Sequence, residues 1–169
     1  MRIFFRAVLV GIGATFLTDL WAFLLRLFDV KSNGLQIIGS WLSTNVLNVP
    51  DSATGVLANG WIIGWTAHYI VGITFAIIFL AIVKSQWFQK PTWSKALIYG
   101  IVTLVFPLFM VWPTLGFGVA FSKTPIQGTL IIKAIGLHLV YGLGLYLTAF
   151  LINKFNSHKS SKKRMSARN

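Results

Sequence analysis

The chain contains no cysteine and no glutamate, and its only acidic residues are Asp19, Asp29 and Asp51. Lack of cysteine excludes disulfides, thiolate metal ligands and cysteine nucleophiles, and leaves the redox compartment undetermined. Lack of glutamate means that paired-carboxylate catalysis would need Asp29 or Asp51 to join Asp19, and both lie in a connection between hydrophobic runs. No G-x-S-x-G, Walker loop or H-E-x-x-H is present either, so the expectation is a non-enzymatic protein. Charge of any sign is scarce, 11% of residues against about 25% in soluble domains. With 56% hydrophobic residues and a mean hydropathy of +0.74, this excludes an ordinary soluble globule.

What is abundant fits a membrane. There are 15 glycines, 14 Phe, 7 Trp and 4 Tyr, the composition of spans that pack through small residues and carry aromatic rings at their interfaces. A hydrocarbon core of about 30 Å needs roughly 20 apolar helical residues. Four runs of that kind occur, at about 3–28, 56–83, 96–121 and 129–152. The fold class is therefore an all-α polytopic membrane protein, a four-helix transmembrane domain over residues 1–153. The first run also follows Arg2 and Arg6 as a secretory signal does, but it continues past Asp19 to Arg26 without a small-residue cleavage site. In the first connection Leu35, Ile38, Trp41, Leu42, Asn45 and Val46 recur at helical spacing, which predicts a short interfacial helix lying on the membrane.

The net charge of +12 would suggest nucleic acid in a soluble protein, but here it reports topology. Arg2, Arg6, Lys84, Lys90, Lys95, Lys154, Lys159, Lys162, Lys163, Arg164 and Arg168 fall on one side, and Arg26, Lys31, Lys123 and Lys133 on the other. That bias places both termini in the cytoplasm, and no nucleic-acid partner is expected. Trp87 and Trp93 then mark the inner interface, and Trp41, Trp61 and Trp65 the outer one. Residues 154–169 lack an apolar period and read as a basic, disordered cytoplasmic tail that anchors topology or meets anionic lipid headgroups.

Ionisable groups within spans are costly and by default suggest a functional site. Asp19, His68 and His138 are such groups, and at about 1.5 Å per residue all three lie roughly 13 to 18 Å below the outer surface. On the third span that level is near Trp112 to Thr114, which adds Thr114 to the predicted cluster. Each group also shares a helix face with small residues. The stripes are Gly60, Gly64, His68 and Gly72; Ala134, His138 and Gly142; and Gly11, Thr15 and Asp19. Gly60, Gly64, Gly72 and Gly142 are read as helix-packing positions, and Gly116 and Gly118 as a face for homo-oligomerisation. Pro107 and Pro113 each remove a helical hydrogen bond and predict a kink or break beside the cluster.

The residues leave four readings of the cluster open. It is a structural network, with Asp19 bonded to a histidine or to Arg26. It is a metal site of His68, His138 and Asp19. It is a proton or solute site in a small transport or permease-like component. Or His68 and His138 ligate a haem. The protein as a whole then reads as a transport-type component, a metal- or haem-binding module, or a structural assembly subunit. A short echo, H-Y-I-V-G at His68–Gly72 against H-L-V-Y-G at His138–Gly142, hints at related helix pairs.

Four segments are familiar as a set. G-A-T-F-L-T-D-L-W from Gly13, G-W-T-A-H-Y-I-V-G from Gly64, P-T-L-G-F-G-V-A-F-S-K-T-P from Pro113 and H-L-V-Y-G-L-G-L-Y from His138 resemble, in order and spacing, the bacterial membrane family DUF2938. The resemblance covers roughly residues 7–150 and is weakest over about 33–59. It implies a multi-span protein of the bacterial inner membrane whose activity is not established, and so it brings no catalytic residues with it.

Overall fold

A computed structural model describes residues 2–30, 32–48 and 56–166. Lys31, Asp51 and Arg168 lie outside the described residues. The helices are α1 (Arg2–Leu27), α2 (Gly34–Asn45), α3 (Val56–Val83), α4 (Trp93–Thr103), the single turn α5 (Trp112–Thr114) and α6 (Gln127–Ser166). A π-helical stretch, Pro107–Val111, leads into α5, and short 3-10 turns occupy Ser85–Phe88 and Val119–Phe121. Four stretches are long and apolar enough to cross a bilayer: Ile3–Leu27, Gly60–Val83, Trp93–Thr114 and Gln127–Phe155. Among the described residues there is no strand.

The spans run up, down, up and down. One end, here the near end, carries the start of α1 and the α3–α4 connection; the far end carries α2 and residues 115–126. α1 packs on α3 and on α6, and α6 packs on α4. These contacts bring backbone against backbone, as expected where lipid supplies no hydrophobic drive and close packing must hold helices together. A Cβ at Gly11 would lie 2.7 Å from Ile73 Cα, one at Gly144 2.6 Å from Ala14 Cα, and one at Gly142 2.6 Å from the Ala96 carbonyl oxygen. The α3–α4 gap is wider and is filled by rings. Phe79 meets Trp87 at 4.8 Å and Tyr99 at 4.9 Å, and Phe75 meets Phe106 at 5.7 Å. Tyr99 donates to the Phe75 carbonyl at 2.8 Å and Tyr141 to the Gly72 carbonyl at 2.6 Å, so carbonyls of α3 serve as acceptors for α4 and α6.

The structure corrects several expectations. The third span ends at Thr114, not 121. Gly116, at φ +88°, closes it: the Phe117 N–H reaches the Trp112 carbonyl and the Gly116 N–H the Pro113 carbonyl, a Schellman stop. Gly118, at φ +77°, turns the chain again, so Gly116 and Gly118 serve backbone turns rather than a helical association face. The predicted disordered tail is helical as far as Ser166. No Gly or Pro follows Gly144 before that point, and extending a helix already nucleated by packing costs little. At Pro107 and Pro113, where a kink or break is expected, the regular α-helix stops at Thr103 and the span goes on in π geometry from Pro107, with the Trp112 N–H bonded to the Pro107 carbonyl. The helix of the first connection is present and packs lengthwise on α3: Gly39 lies on the Gly60 carbonyl, and its Cβ would be 2.6 Å from the Gly64 nitrogen.

Burial is uneven along the bundle. In the near half Val10, Ala14, Ala76, Phe79, Tyr141, Leu145 and Ala149 are buried in one cluster. In the far half, over residues 19–27, 61–71, 105–114 and 127–140, Gly64 alone is buried, covered by α2; the other buried residues at that end are Gly60, Gly39 and Ser43 where α2 meets α3, and Phe121. The change is abrupt along α1: Ala14 and Thr18 are 0% and 3% exposed, whereas Ala22, one turn on and on the same face, is exposed.

Filling a backbone contact should therefore destabilise the fold, and filling open space should not. Gly142→Val is expected to cost about 1–3 kcal/mol by overpacking. Gly128→Ala, whose Cβ meets nothing within 4 Å, should leave the thermal midpoint in detergent unchanged or raise it slightly.

Candidate intramembrane polar site

The antiparallel register of α1 and α3 places the site. Gly11 lies by Ala76 and Gly72 by Thr15, and the next turn along brings Asp19 opposite His68. His68 Nε2 donates to Asp19 Oδ1 at 3.0 Å, and the Tyr69 hydroxyl donates to Asp19 Oδ2 at 2.8 Å. Both carboxylate oxygens thus have a donor from α3, which a carboxylate in an apolar span requires. The site is not sealed, since the side chains of His68 and Asp19 remain 22% and 15% exposed. Trp65 packs edge-on to His68 at 6.1 Å and stacks on Tyr69 at 6.2 Å, and Trp61 stacks on Trp65 at 6.4 Å.

Of the four residues of the predicted cluster, Asp19 and His68 come together and the others do not join them. His138 Nδ1 bonds Thr103 Oγ1 at 2.8 Å, and that hydroxyl donates to the Gly100 carbonyl at 2.6 Å. Because the threonine proton is committed to the carbonyl, the imidazole Nδ1–H is the donor to Thr103. Thr114 is exposed and gives its hydroxyl to the Met110 carbonyl on its own helix, at 2.7 Å. Among the described residues no three His, Cys, Asp or Glu side chains are grouped to hold a metal, so the proposed set of His68, His138 and Asp19 is not assembled. The reason is packing: Gly100 and Gly142 draw α4 against α6, and Thr103 captures His138 there. The haem reading needs both imidazoles turned to one group, whereas His68 Nε2 is engaged by Asp19. Arg26 is exposed, and it is His68 and Tyr69 that bond Asp19.

The packing glycines divide their contacts. Gly60 and Gly64 receive α2 through Ser40 and Leu35, Gly72 receives Thr15 of α1, and Gly142 receives Ala96 and Leu97 of α4. Pro107 opens the π stretch, and Pro113 lies in α5 just beyond it. Tyr69 is the site residue that a search for charges and histidines passes over. Its signal in the sequence is a hydroxyl next to His68 on a face a quarter-turn round, where both can reach one carboxylate.

Fold and site together define a polytopic α-helical membrane protein of four spans with a carboxylate, an imidazole and a phenol bonded inside it. The chain belongs to a protein family of unknown function, DUF2938, whose family model matches residues 8–152. No curated protein and no solved structure matches it.

The separation of the two histidines can be measured. Tyr69→Phe should cost about 0.6 kcal/mol, the typical net value of an interhelical hydrogen bond in a membrane. In double-mutant cycles read by thermal unfolding, Asp19→Asn should be non-additive with Tyr69→Phe and additive with His138→Ala.

Proposed function

We propose that this protein is a non-enzymatic, transport- or permease-type component of the bacterial inner membrane, in which Asp19, His68 and Tyr69 form the floor of a vestibule open at the far end. The observation that carries this reading is the change in packing at their level. Below them Thr18, Gly72, Phe79, Tyr141 and Leu145 are buried, and above them Ala22, Trp65 and Ala134 are exposed or half-buried. Polar groups within a bundle that face its interior mark solute and ion paths, and a site closed to one side and open to the other is what alternating access needs at each stage. The cationic residues support N-in and C-in, because Arg6, Lys84, Lys90 and Lys95 lie at the near end and Arg26, Lys123 and Lys133 toward the far end. The far end then faces away from the cytoplasm. The basic segment that begins at Lys154 follows the near end of the fourth span, within reach of anionic headgroups of the inner leaflet.

A structural-subunit reading uses the same bonds to tie α1 to α3 and has no use for an open far half. Single cysteines in this cysteine-free chain separate the two. In spheroplasts, a membrane-impermeant maleimide should label Ala22→Cys and Ala134→Cys but not Ala14→Cys, with Ser122→Cys in the far connection as the positive control. Labelling of the control without labelling of Ala22→Cys or Ala134→Cys would exclude a vestibule. Labelling of the control only after permeabilisation would reverse the orientation.

A further inference from the structure

We infer that the vestibule floor binds a small organic ammonium cation, held by the Asp19 carboxylate and by the rings of Trp65 and Tyr69. The inference rests on the vestibule reading above and names the class of solute that the vestibule would admit. Asp19 is the sole acidic residue in the four spans, so it is the one carboxylate available inside them. The way to it is aromatic. Trp61, Trp65 and Tyr69 recur every fourth residue along α3, with ring planes only 21° and 24° apart at successive centroid separations of 6.4 and 6.2 Å. All three are half-buried.

The chemistry of these groups selects among cations. A small inorganic ion holds its hydration shell tightly and gains little from ring faces. An ammonium carrying methyl or aryl substituents is weakly hydrated, and it gains from burial of its apolar surface and from attraction to the aromatic quadrupole. Arg26 and Lys133, near the far ends of α1 and α6, act on every cation alike, so the preference among cations is set at the floor. There the ligand takes the place of the His68 N–H at Asp19 Oδ1, while Tyr69 keeps its bond to Oδ2 and presents its ring. This is an exchange of non-covalent partners, with His68 as the residue that holds the carboxylate when the solute is absent.

The test uses the full chain in detergent, with benzyltrimethylammonium as the probe. Its uncharged carbon isostere, neopentylbenzene, and benzenesulfonate serve as comparators. Saturable quenching of tryptophan fluorescence by the ammonium alone is expected, confirmed by titration calorimetry. Affinity should fall more than tenfold in Asp19→Asn and about threefold to tenfold in Trp65→Ala, and Trp65→Phe should restore most of it, in line with the worth of a cation–π contact. If Asp19→Asn does not yield folded protein, the Trp65→Ala and Trp65→Phe pair decides. An equal response to the uncharged isostere, a stronger response to the sulfonate, or affinity unaffected by these variants would overturn the inference. Absence of ammonium binding in protein whose Ala22→Cys and Ala134→Cys variants do label would overturn this inference alone, whereas absence of both would take the vestibule reading with it.

Discussion

The close approach of α1 to α3 is the constraint on which the rest depends. With Gly11 on Ile73 and Thr15 on Gly72, the two backbones are near enough that the register is fixed turn by turn. That register delivers Asp19 to His68 and Tyr69. A slip of one residue on α3 would rotate the chain by about 100° and leave the carboxylate facing an apolar surface. The small-residue contacts are therefore the means by which the polar site is aligned, and the hydrogen bonds follow from them. Thr15 and Thr18 fit this account, since each is buried yet gives its hydroxyl to a carbonyl of its own helix and asks nothing of α3.

The same packing rule explains why the two halves of the bundle differ. Where glycine, alanine and threonine line the contacts, helices close up and the core is buried. Past Asp19, α1 presents Ala22 and Leu25 toward the interior, α3 presents Trp65 and Trp61, and the third span has moved into π geometry, which widens its turn. Gly64 and Gly60 continue the small-residue stripe of α3, but α2 takes them up, so the glycine contact of α1 with α3 ends at Gly72. The short helix of the first connection thus does more than link two spans: in the far half it takes the place on the α3 stripe that α1 holds in the near half.

Much of this is legible in the sequence, and for identifiable reasons. Four spans follow from length and hydropathy, since water-free surroundings force helices. The facing of His68 follows from Gly64 and Gly72 at four-residue spacing. What cannot be read is which helix meets which face. The stripe of α3 is shared between α1 and α2, and that of α6 at Gly142 is taken by α4, so His138 pairs with Thr103 although its depth and face resemble those of His68. Depth and face locate a group on its own helix and say nothing of its azimuth in the bundle. Gly116 was available as a helix stop, but within an apolar run a glycine serves as well for packing as for a left-handed turn, and only the backbone angle distinguishes the two. The tail reads as disordered from its charge, yet nothing in it halts a helix already formed.

Energy bears on what Asp19 is for. A charged carboxylate deep in a bilayer costs about 2.5–3.5 kcal/mol on insertion scales. Interhelical hydrogen bonds in membranes contribute about 0.6 kcal/mol on average and those to charged groups about 1.5–3 kcal/mol, so the two that Asp19 accepts offset part or all of that cost. Removing the carboxylate alone would leave the His68 N–H and the Tyr69 O–H without their acceptor, whereas replacing all three groups by well-packed apolar side chains would tie α1 to α3 at lower cost, as buried ion pairs in general are weak stabilisers. On the vestibule reading, solvent at the far end would lower that cost, in keeping with the residual exposure of Asp19 and His68. On the proposed reading, a carboxylate placed where the buried half of the bundle meets the more exposed one serves what it meets from outside the fold as well as the tie between α1 and α3.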